Sequence, residues 1–435
     1  MKEGIRVRKI KLHMLLLLFL IVVGCSASPD TDKNDVIDSG KEVSLSLEVP
    51  FSKTNYKLFM ARHRELKLYE PRNGCYTGAY ILSNPDVNFD IASFENITQT
   101  NHGIYLRNMK LGSVFPIEWV LECTSQMKTP FVILQPPSKD FPYQEYLLED
   151  TAKGFGEYFI PIFVQFYPNP QQYKNPEEYK EFFKKARNIF EQYAPNVAFV
   201  WSVNAKNNKD SLLYYPGDEV VDWVGIDAYD LIYDGDIKNK KNIFEDIDFI
   251  YFLFQGKKPI MISQLGISHY TKKDHGYYID EAAGKIKTFY KSIKNNYPMV
   301  KAINYMDFNN IETAPDGVGY DNFKITDQNI LIEAYKEALK DAYFTDTVDI
   351  QSFGMDEKAW FVSYYPLYKR NEDFYICYEV IKYELDDENI IINEKNKIVI
   401  GETIYYSLKD IVADNGFKIT TDLENKIIKL SKEGV

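Results

Sequence analysis

Eight short apolar runs are spaced along residues 77–306, and polar stretches with helical periodicity separate most of them. Short runs rich in Val, Ile and Phe are typical of strands that are buried on both faces of a parallel sheet. Alternating strands and helices predict such a sheet, and eight units in about 270 residues predict a (β/α)8 TIM barrel in the α/β class. The predicted strands cover residues 77–82, 104–108, 131–135, 159–166, 197–203, 223–227, 260–264 and 300–306.

The clearest helical pattern covers residues 176–194. Asn175 is placed to cap this helix, Pro176 stands at its first position, and Glu178 completes a pattern similar to a capping box. Apolar residues then recur at helical spacing along one face, which predicts that this face packs on the sheet. Residues 278–296 show the same periodicity.

The start of the chain has the pattern of an export signal. A basic segment precedes the apolar run 14–23, which is too short to span a bilayer, so residues 1–24 are predicted to be a signal peptide. The sequence Val22-Val23-Gly24-Cys25 resembles a bacterial lipobox, which implies cleavage before Cys25 and a lipid on its thiol. A plain secretory signal is the alternative. Residues 25–48 are polar and lack aromatic residues, which predicts a flexible tether.

After residue 344 the pattern changes to short alternating strands, with residues 360–365 and 374–383 the clearest. A helix over 408–414, Gly416 and two strands around a turn at 424–425 complete a small α+β unit. We therefore predict a barrel domain over 49–344 and a small domain over 345–435. Residues 390–431 resemble the accessory domain named after the N-terminus of copper amine oxidases. The name implies no copper in this chain.

The composition of the chain restricts the kinds of molecule that the protein is expected to bind. The formal net charge is −12, and no basic cluster offsets it after the signal segment, which argues against binding of nucleic acid. Cys75, Cys123 and Cys377 are too few and too scattered for a disulfide framework or a zinc site. Buried free thiols are favoured for them, with a Cys75–Cys123 bridge as the alternative. We expect no cofactor.

Residues from about 75 to 344 resemble glycoside hydrolase family 26, which includes β-mannanases and related β-glycanases. The resemblance implies a TIM barrel that acts on β-linked glycans, with one catalytic glutamate just past strand four and another at the end of strand seven. The matching segments are TGAYI, NVAFVWSVN, YYPGDEVVDWVGIDAYD, GKKPIMISQLG, YPMVKAINYMDFN and ITDQNILIEAYKEALKDAYF.

Amides stand at both positions where the resemblance implies glutamates. In the family motif RF-x-HE-x-N-G, Gln165 falls at the Arg, Pro168 at the His and Asn169 at the acid/base Glu. In the pattern PI-x-I-x-E-x-G, Gln264 falls at the nucleophile. A glutamine cannot form a glycosyl ester, and an asparagine has no acidic proton to donate. The sequence therefore predicts a pseudoenzyme that binds carbohydrate, with the ordinary retaining hydrolysis lost.

Two alternatives stay open. Asp227 and Asp230 after strand six, and Asp307 after strand eight, are predicted at the same mouth and would supply other carboxylates for an active glycosidase or transglycosidase. The other alternative is a scaffold whose barrel binds a protein. In the leading interpretation the partners are a β-linked polysaccharide, the membrane through the lipid anchor, and the cell wall.

The remaining candidate residues are those that the sequence suggests could contact a ligand. The resemblance implies that Tyr229 hydrogen-bonds the residue at the nucleophile position. Trp201 lies within strand five, where a core position is the alternative to a sugar contact. His269 and His275 stand in a Tyr-rich loop and lack a third ligand of matching spacing, so no metal is expected. The predicted substrate-binding residues are Gln165, Asn169, Trp201, Tyr229, Gln264 and His269.

Overall fold

A computed structural model describes residues 51–136, 145–167, 170, 175–315, 317–385 and 389–432. The chain divides into two units, Met1–Val49 and Pro50–Val435, and the described residues all belong to the second. The predicted signal peptide, the tether and Cys25 lie outside the described residues. So do Pro168 and Asn169, where the sequence places part of the acid/base motif.

The centre of the second unit is a closed parallel barrel. Each of its eight strands pairs in parallel with the next, and the last pairs with the first. This closure confirms the predicted TIM barrel. The strands are β1 Cys75–Tyr80, β2 Ile104–Lys110, β3 Thr129–Gln135, β4 Ile162–Phe166, β5 Val197–Asn204, β6 Trp223–Asp230, β7 Ile260–Ile267 and β8 Val300–Met306.

The predicted strands differ from the observed ones by three residues at the start of β4 and at the ends of β6 and β7. The sequence places the start of β4 at Phe159, whereas the strand begins at Ile162 and Phe159 is 98% exposed. The apolar run continues into the loop before the strand, so hydrophobicity alone marks the wrong boundary. β6 and β7 extend three residues beyond the predicted ends at 227 and 264, to Asp230 and Ile267.

Helices surround the barrel: α1 Ile91–Thr98, α2 Ile117–Ser125, α3 Glu145–Gly156, α4 Pro176–Tyr193, α5 Ile243–Phe254, α6 Ile279–Asn296 and α7 Asn329–Leu339. α4 begins as predicted, because the Asn175 side chain accepts a hydrogen bond from the Glu177 backbone N–H. Only short helical turns, among them Asn208–Ser211, connect β5 to β6. In the described part of the chain, no helix has both the length and the apolarity needed to cross a membrane.

The barrel core has two apolar layers. The outer layer lies between strands and helices and includes Phe166, Phe199 and Ile262, whereas the inner layer fills the barrel with residues such as Phe131 and Met261. This alternation follows from the strand period of two, which sends successive side chains to opposite faces. The three cysteines of the described part are buried and free.

The C-terminal strands form two further sheets together with the start of the unit. One sheet has the order Asp356–Val362, Lys57–Glu65, Ile427–Lys432 and Phe417–Asp422. The other has the order Ser52–Lys53, Tyr368–Arg370, Asp373–Cys377, Thr403–Ser407 and Ile398–Ile400. Helix α8, Leu408–Asn415, packs with them and ends at Gly416 in the left-handed conformation. The domain boundaries stay a prediction, but Lys57–Glu65 pairs with C-terminal strands rather than with the barrel.

One predicted strand of this region is wrong in its second half. The sequence assigns residues 374–383 to a strand, whereas the strand ends at Cys377 and Val380–Glu384 is a π-helix. Val380, Ile381 and Leu385 are all buried. Adjacent residues such as Val380 and Ile381 share a side in a helical turn but not in a strand, whose side chains alternate.

Candidate functional site

A cavity of about 290 Å³ opens at the C-terminal ends of the barrel strands. The residues that line this cavity include five from β5, β6 and the segment after β8. Asn204 lies at the end of β5, and Asp227 and Tyr229 lie near the C-terminal end of β6. Phe308 and Phe323 come from the segment after β8. The C-terminal face is where TIM barrels carry their functional sites. The cavity is therefore the first candidate for a ligand site.

A β-bulge in β7 determines where Gln264 lies. Ile262 pairs with Ile226 of β6, but the register then slips by one residue, so that Gln264 pairs with Asp227. The extra residue, Ser263, also faces the barrel interior, since a Cβ added to Gly225 would clash with its hydroxyl oxygen. The bulge thus turns two consecutive side chains of β7 to the inner side.

Gln264 is held by Tyr229. The Tyr229 hydroxyl donates a hydrogen bond of 2.6 Å to Gln264 Oε1, and both side chains are half-buried. Burial raises the pKa of Tyr229 well above its ordinary value, so the phenol keeps its proton. The structure therefore places a neutral, oriented amide in the C-terminal half of β7, next to the tyrosine that the family resemblance pairs with it.

Asp227 is buried beneath this pair and contacts Gln165 of β4. Burial raises the pKa of Asp227 to about 7, and a hydrogen bond from Gln165 partly opposes the rise. The Gln165 amide also donates to the Ser202 hydroxyl. Among the described residues, Asp227 Oδ1 and Gln165 Oε1 have no hydrogen-bond partner. A buried carboxylate with one free oxygen is costly when ionised, which explains the raised pKa.

Asp227→Asn should therefore change the pH dependence of stability. Because the pKa is raised in the folded state, the unfolded carboxyl ionises first as pH rises, and this group lowers the free energy of unfolding between about pH 4 and 7. The amide carries no such penalty. We expect the variant to gain roughly 2–4 kcal/mol over the wild type at pH 8, and progressively less toward pH 4.

Urea unfolding of both proteins at pH 5 and pH 8 measures this difference. Asp236→Asn is the control, because Asp236 is fully exposed and should show little change at either pH. An equal difference for Asp227→Asn at the two pH values would contradict the assigned cause.

The other two candidate carboxylates are engaged in structural contacts. Asp230 Oδ1 accepts a hydrogen bond of 3.0 Å from Lys285 Nζ of α6. Asp307 is fully buried, and burial raises its pKa to about 6. It accepts hydrogen bonds from Asn84 Nδ2 at 2.6 Å, the Ile325 backbone N–H at 2.7 Å and Thr326 Oγ1 at 2.9 Å. These contacts fix loops and a helix rather than present free carboxylates at the cavity.

Of the predicted substrate-binding residues that the structure describes, Tyr229 lines the cavity, whereas Gln165, Trp201, Gln264 and His269 do not. Trp201 is buried in the outer layer, with its ring centroid 5.9 Å from that of Phe254 in α5, while its neighbour Ser202 faces inward. The alternation of β5 accounts for this placement. His269 is also fully buried; its Nε2 lies 3.9 Å from Asp327 Oδ2, and burial lowers the pKa of its imidazole to about 4.

The cavity also contains residues that the sequence did not single out. Asn204 lies two positions after the inward-facing Ser202, so strand alternation was a usable signal for it. Phe308 and Phe323 lie in the long segment after β8, where no periodicity indicates which side chains turn toward the mouth. Only the folded loop identifies these two.

Comparison with known proteins bears on this site. Residues 165–314, which include β5 to β8 and the Tyr229–Gln264 pair, match the family model described as glycosyl hydrolase family 26. Over these residues the barrel is similar to that family. No curated protein sequence matches the chain. The family match supports a function on glycans, either binding or cleavage.

Similar solved structures include a family 26 β-mannanase from Bacteroides ovatus, with 11% identity, a TM-score of 0.46, and coverage of 65% of this chain and 93% of that one. The catalytic domain of a family 26 endo-β-1,4-mannanase from Bacillus sp. JAMB-750 has 14% identity and a TM-score of 0.46, covering 65% and 94%. A family 39 glycoside hydrolase from Bacteroides cellulosilyticus has 12% identity and a TM-score of 0.45, covering 78% and 79%. At these values the structural likeness of the family 26-like barrel carries no argument about its ligand.

Proposed function

We propose that this protein binds a β-linked polysaccharide, mannan or a related β-glycan, at the barrel mouth and does not carry out the ordinary retaining hydrolysis. The observation that carries the proposal is the amide of Gln264 in the C-terminal half of β7, held by the Tyr229 hydroxyl at 2.6 Å. The family match over residues 165–314 supports the class of ligand.

The chemistry of the site favours binding over cleavage. Retaining glycosidases use two carboxyl groups about 5–5.5 Å apart, one of them as a nucleophile. Gln264 has no charge with which to attack an anomeric carbon or to stabilise an oxocarbenium ion. Its amide still has both hydrogen-bond donors and an acceptor, as do the hydroxyl-rich faces of a sugar.

An active glycanase or transglycosidase that uses other carboxylates is the second candidate function. The contacts of Asp230 and Asp307 argue against this function. Asp230 pairs with Lys285, and Asp307 accepts three hydrogen bonds, so both carboxylates are engaged in structural contacts. Asp227 is the remaining candidate, since it lines the cavity and burial raises its pKa to about 7. A protein-binding scaffold is the third candidate, and no contact within the described residues favours it.

The proposal includes the location of the protein. The lipobox-like sequence ending at Cys25 supports anchoring by a lipid to the outer face of the cell membrane, and the polar residues 25–48 would then hold the folded unit away from it. A role of the C-terminal domain at the cell wall belongs to the same proposal. Palmitate labelling of the wild type and of Cys25→Ala tests the anchor.

Affinity electrophoresis of residues 49–435 in native gels tests the binding function. Separate gels contain mannan, mixed-linkage glucan, xylan or a cellulose derivative, and staining for polysaccharide follows. We expect retardation in at least one gel without a cleared zone at the protein band. A cleared zone would contradict the loss of hydrolysis and would direct attention to Asp227. Unchanged mobility in every gel would favour the scaffold.

A matched pair of variants connects any retardation to the cavity. Tyr229→Ala removes a cavity wall and the partner of Gln264, and we expect its affinity for the retarding polysaccharide to fall by about 10-fold. Tyr146→Ala removes a tyrosine that is 56% exposed on α3 and should leave the mobility unchanged. Equal retardation of the two variants would place the binding site outside this cavity.

A further inference from the structure

Loops after β7 and β8 join in a small three-stranded sheet on the same side as the cavity, and the loop after β6 forms a separate two-stranded hairpin. After β7, Tyr270–Thr271 pairs with Gly276–Tyr277, and the same strand pairs with Asp321–Asn322 after β8. After β6, Tyr233–Asp234 pairs with Ile237–Lys238. Tyr233, Tyr270, Tyr277 and Tyr278 belong to these loops and are here called the tyrosine platform.

Asp274 holds two of the four platform tyrosines, Tyr233 and Tyr278. Its carboxylate accepts hydrogen bonds from the Tyr233 hydroxyl at 2.9 Å, the Tyr278 hydroxyl at 2.5 Å and the Gly276 backbone N–H at 2.8 Å. Lys273 donates to the Gly235 carbonyl and so links the β7 loop to the β6 hairpin. Contacts between separate loops hold the rings in place before any ligand arrives, which reduces the entropy cost of binding.

The platform leaves aromatic surface exposed. Tyr277 is 67% exposed although its ring centroid lies 4.6 Å from that of Tyr270. The ring of Tyr277 contributes little to the core, since it is open to solvent. An exposed aromatic surface of this kind is the feature that marks interaction sites on soluble proteins.

The platform continues the wall of the cavity. Leu231, which lines the cavity, is two residues before Tyr233. Phe323, also in the cavity wall, directly follows the strand Asp321–Asn322 that pairs with Tyr270–Thr271. A linear ligand that leaves the cavity on this side therefore meets the tyrosine platform next.

We propose that the tyrosine platform is an outer subsite for a β-linked glycan chain whose other end occupies the cavity. This inference rests on the proposed function. The C–H faces of pyranose rings stack on aromatic faces, and the phenol hydroxyls at the ring edges match sugar hydroxyls. Extended β-linked chains are long enough to reach both sites, whereas a disaccharide in the cavity is not expected to reach Tyr277.

Titration calorimetry of the full chain with short and long oligosaccharides tests the inference. The probes are the disaccharides and hexasaccharides of β-1,4-linked mannose, glucose and xylose. For the sugar that binds, we expect Tyr277→Ala to weaken hexasaccharide affinity by about 10-fold and to leave disaccharide affinity unchanged. Tyr364→Ala, at a tyrosine that is 62% exposed in the C-terminal region, is the matched control and should change neither.

The outcomes separate the two proposals. If the wild type binds neither length of any of the three sugars and is retarded in none of the polysaccharide gels, the proposed function fails and the inference fails with it. If the wild type binds the hexasaccharide and Tyr277→Ala binds it equally well, the inference is overturned while the proposed function stands. An equal loss for both lengths also overturns it, because the variant would then act on the cavity rather than on an outer subsite.

Discussion

The double variant Asn169→Glu/Gln264→Glu is expected to hydrolyse the polysaccharide that the wild type binds, at a rate about 100-fold or more above that of the wild type. Each restored carboxyl group supplies one of the two roles that retaining hydrolysis requires. General acid catalysis alone contributes about 10²–10⁴-fold, so even imperfect geometry should give measurable turnover. Release of reducing sugar from the retarding polysaccharide is the measurement.

The surroundings of position 264 can accommodate a glutamate. Glutamate has the size of glutamine, and the Tyr229 hydroxyl that donates to Gln264 Oε1 can donate equally to a carboxylate oxygen. The bulge in β7 and the half-buried position of the side chain do not depend on its charge. Position 169 lies outside the described residues, so the placement of the acid there rests on the family motif.

Two controls isolate the role of charge. Asn169→Gln/Gln264→Glu has a side chain of glutamate size at position 169 but no acid, and should show at least about 10-fold less activity than the double glutamate variant. Asn169→Glu alone should show no covalent retaining chemistry. Equal activity of the wild type and the double glutamate variant would contradict the assignment of these two positions.

Asp307→Ala is expected to lower the free energy of unfolding at pH 7 by about 1–3 kcal/mol. Burial raises the pKa of Asp307 to about 6, so the cost of ionising this carboxyl in the folded state offsets part of the loss. The carboxylate accepts hydrogen bonds from Asn84, Thr326 and the Ile325 backbone. Its removal leaves these buried donors without their acceptor and opens a small void. Urea denaturation at pH 7, followed by circular dichroism, measures the loss.

Asp236→Ala is the matched control for this variant, because Asp236 is fully exposed and forms only a surface ion pair with Lys273. We expect a change of no more than about 0.5 kcal/mol for it. If the wild type proves to cleave a glycan, loss of that cleavage in an Asp307→Ala protein that keeps its stability would assign Asp307 a catalytic role instead of a structural one.

Local sequence patterns were sufficient to predict the barrel. The eight strands and the two clearest helices were visible because strand and helix periodicities arise from backbone geometry within a few residues. The cap of α4 at Asn175 is equally local. Gln264 could be assigned to the C-terminal half of β7 because its pattern runs without interruption into that strand. At such positions the sequence by itself determined which residues stand at the barrel mouth.

The tertiary structure decided what those residues do there. A bulge of one residue brings Gln264 level with Asp227, and burial then sets the protonation of that carboxyl group. The tertiary structure also determined that the Trp201 side chain packs in the outer layer. It likewise determined that Lys57–Glu65 pairs with strands more than 290 residues later in the chain. These features depend on contacts between residues far apart in the chain. Register, burial and hydrogen-bond partners arise only when the barrel closes, so no local pattern could contain them.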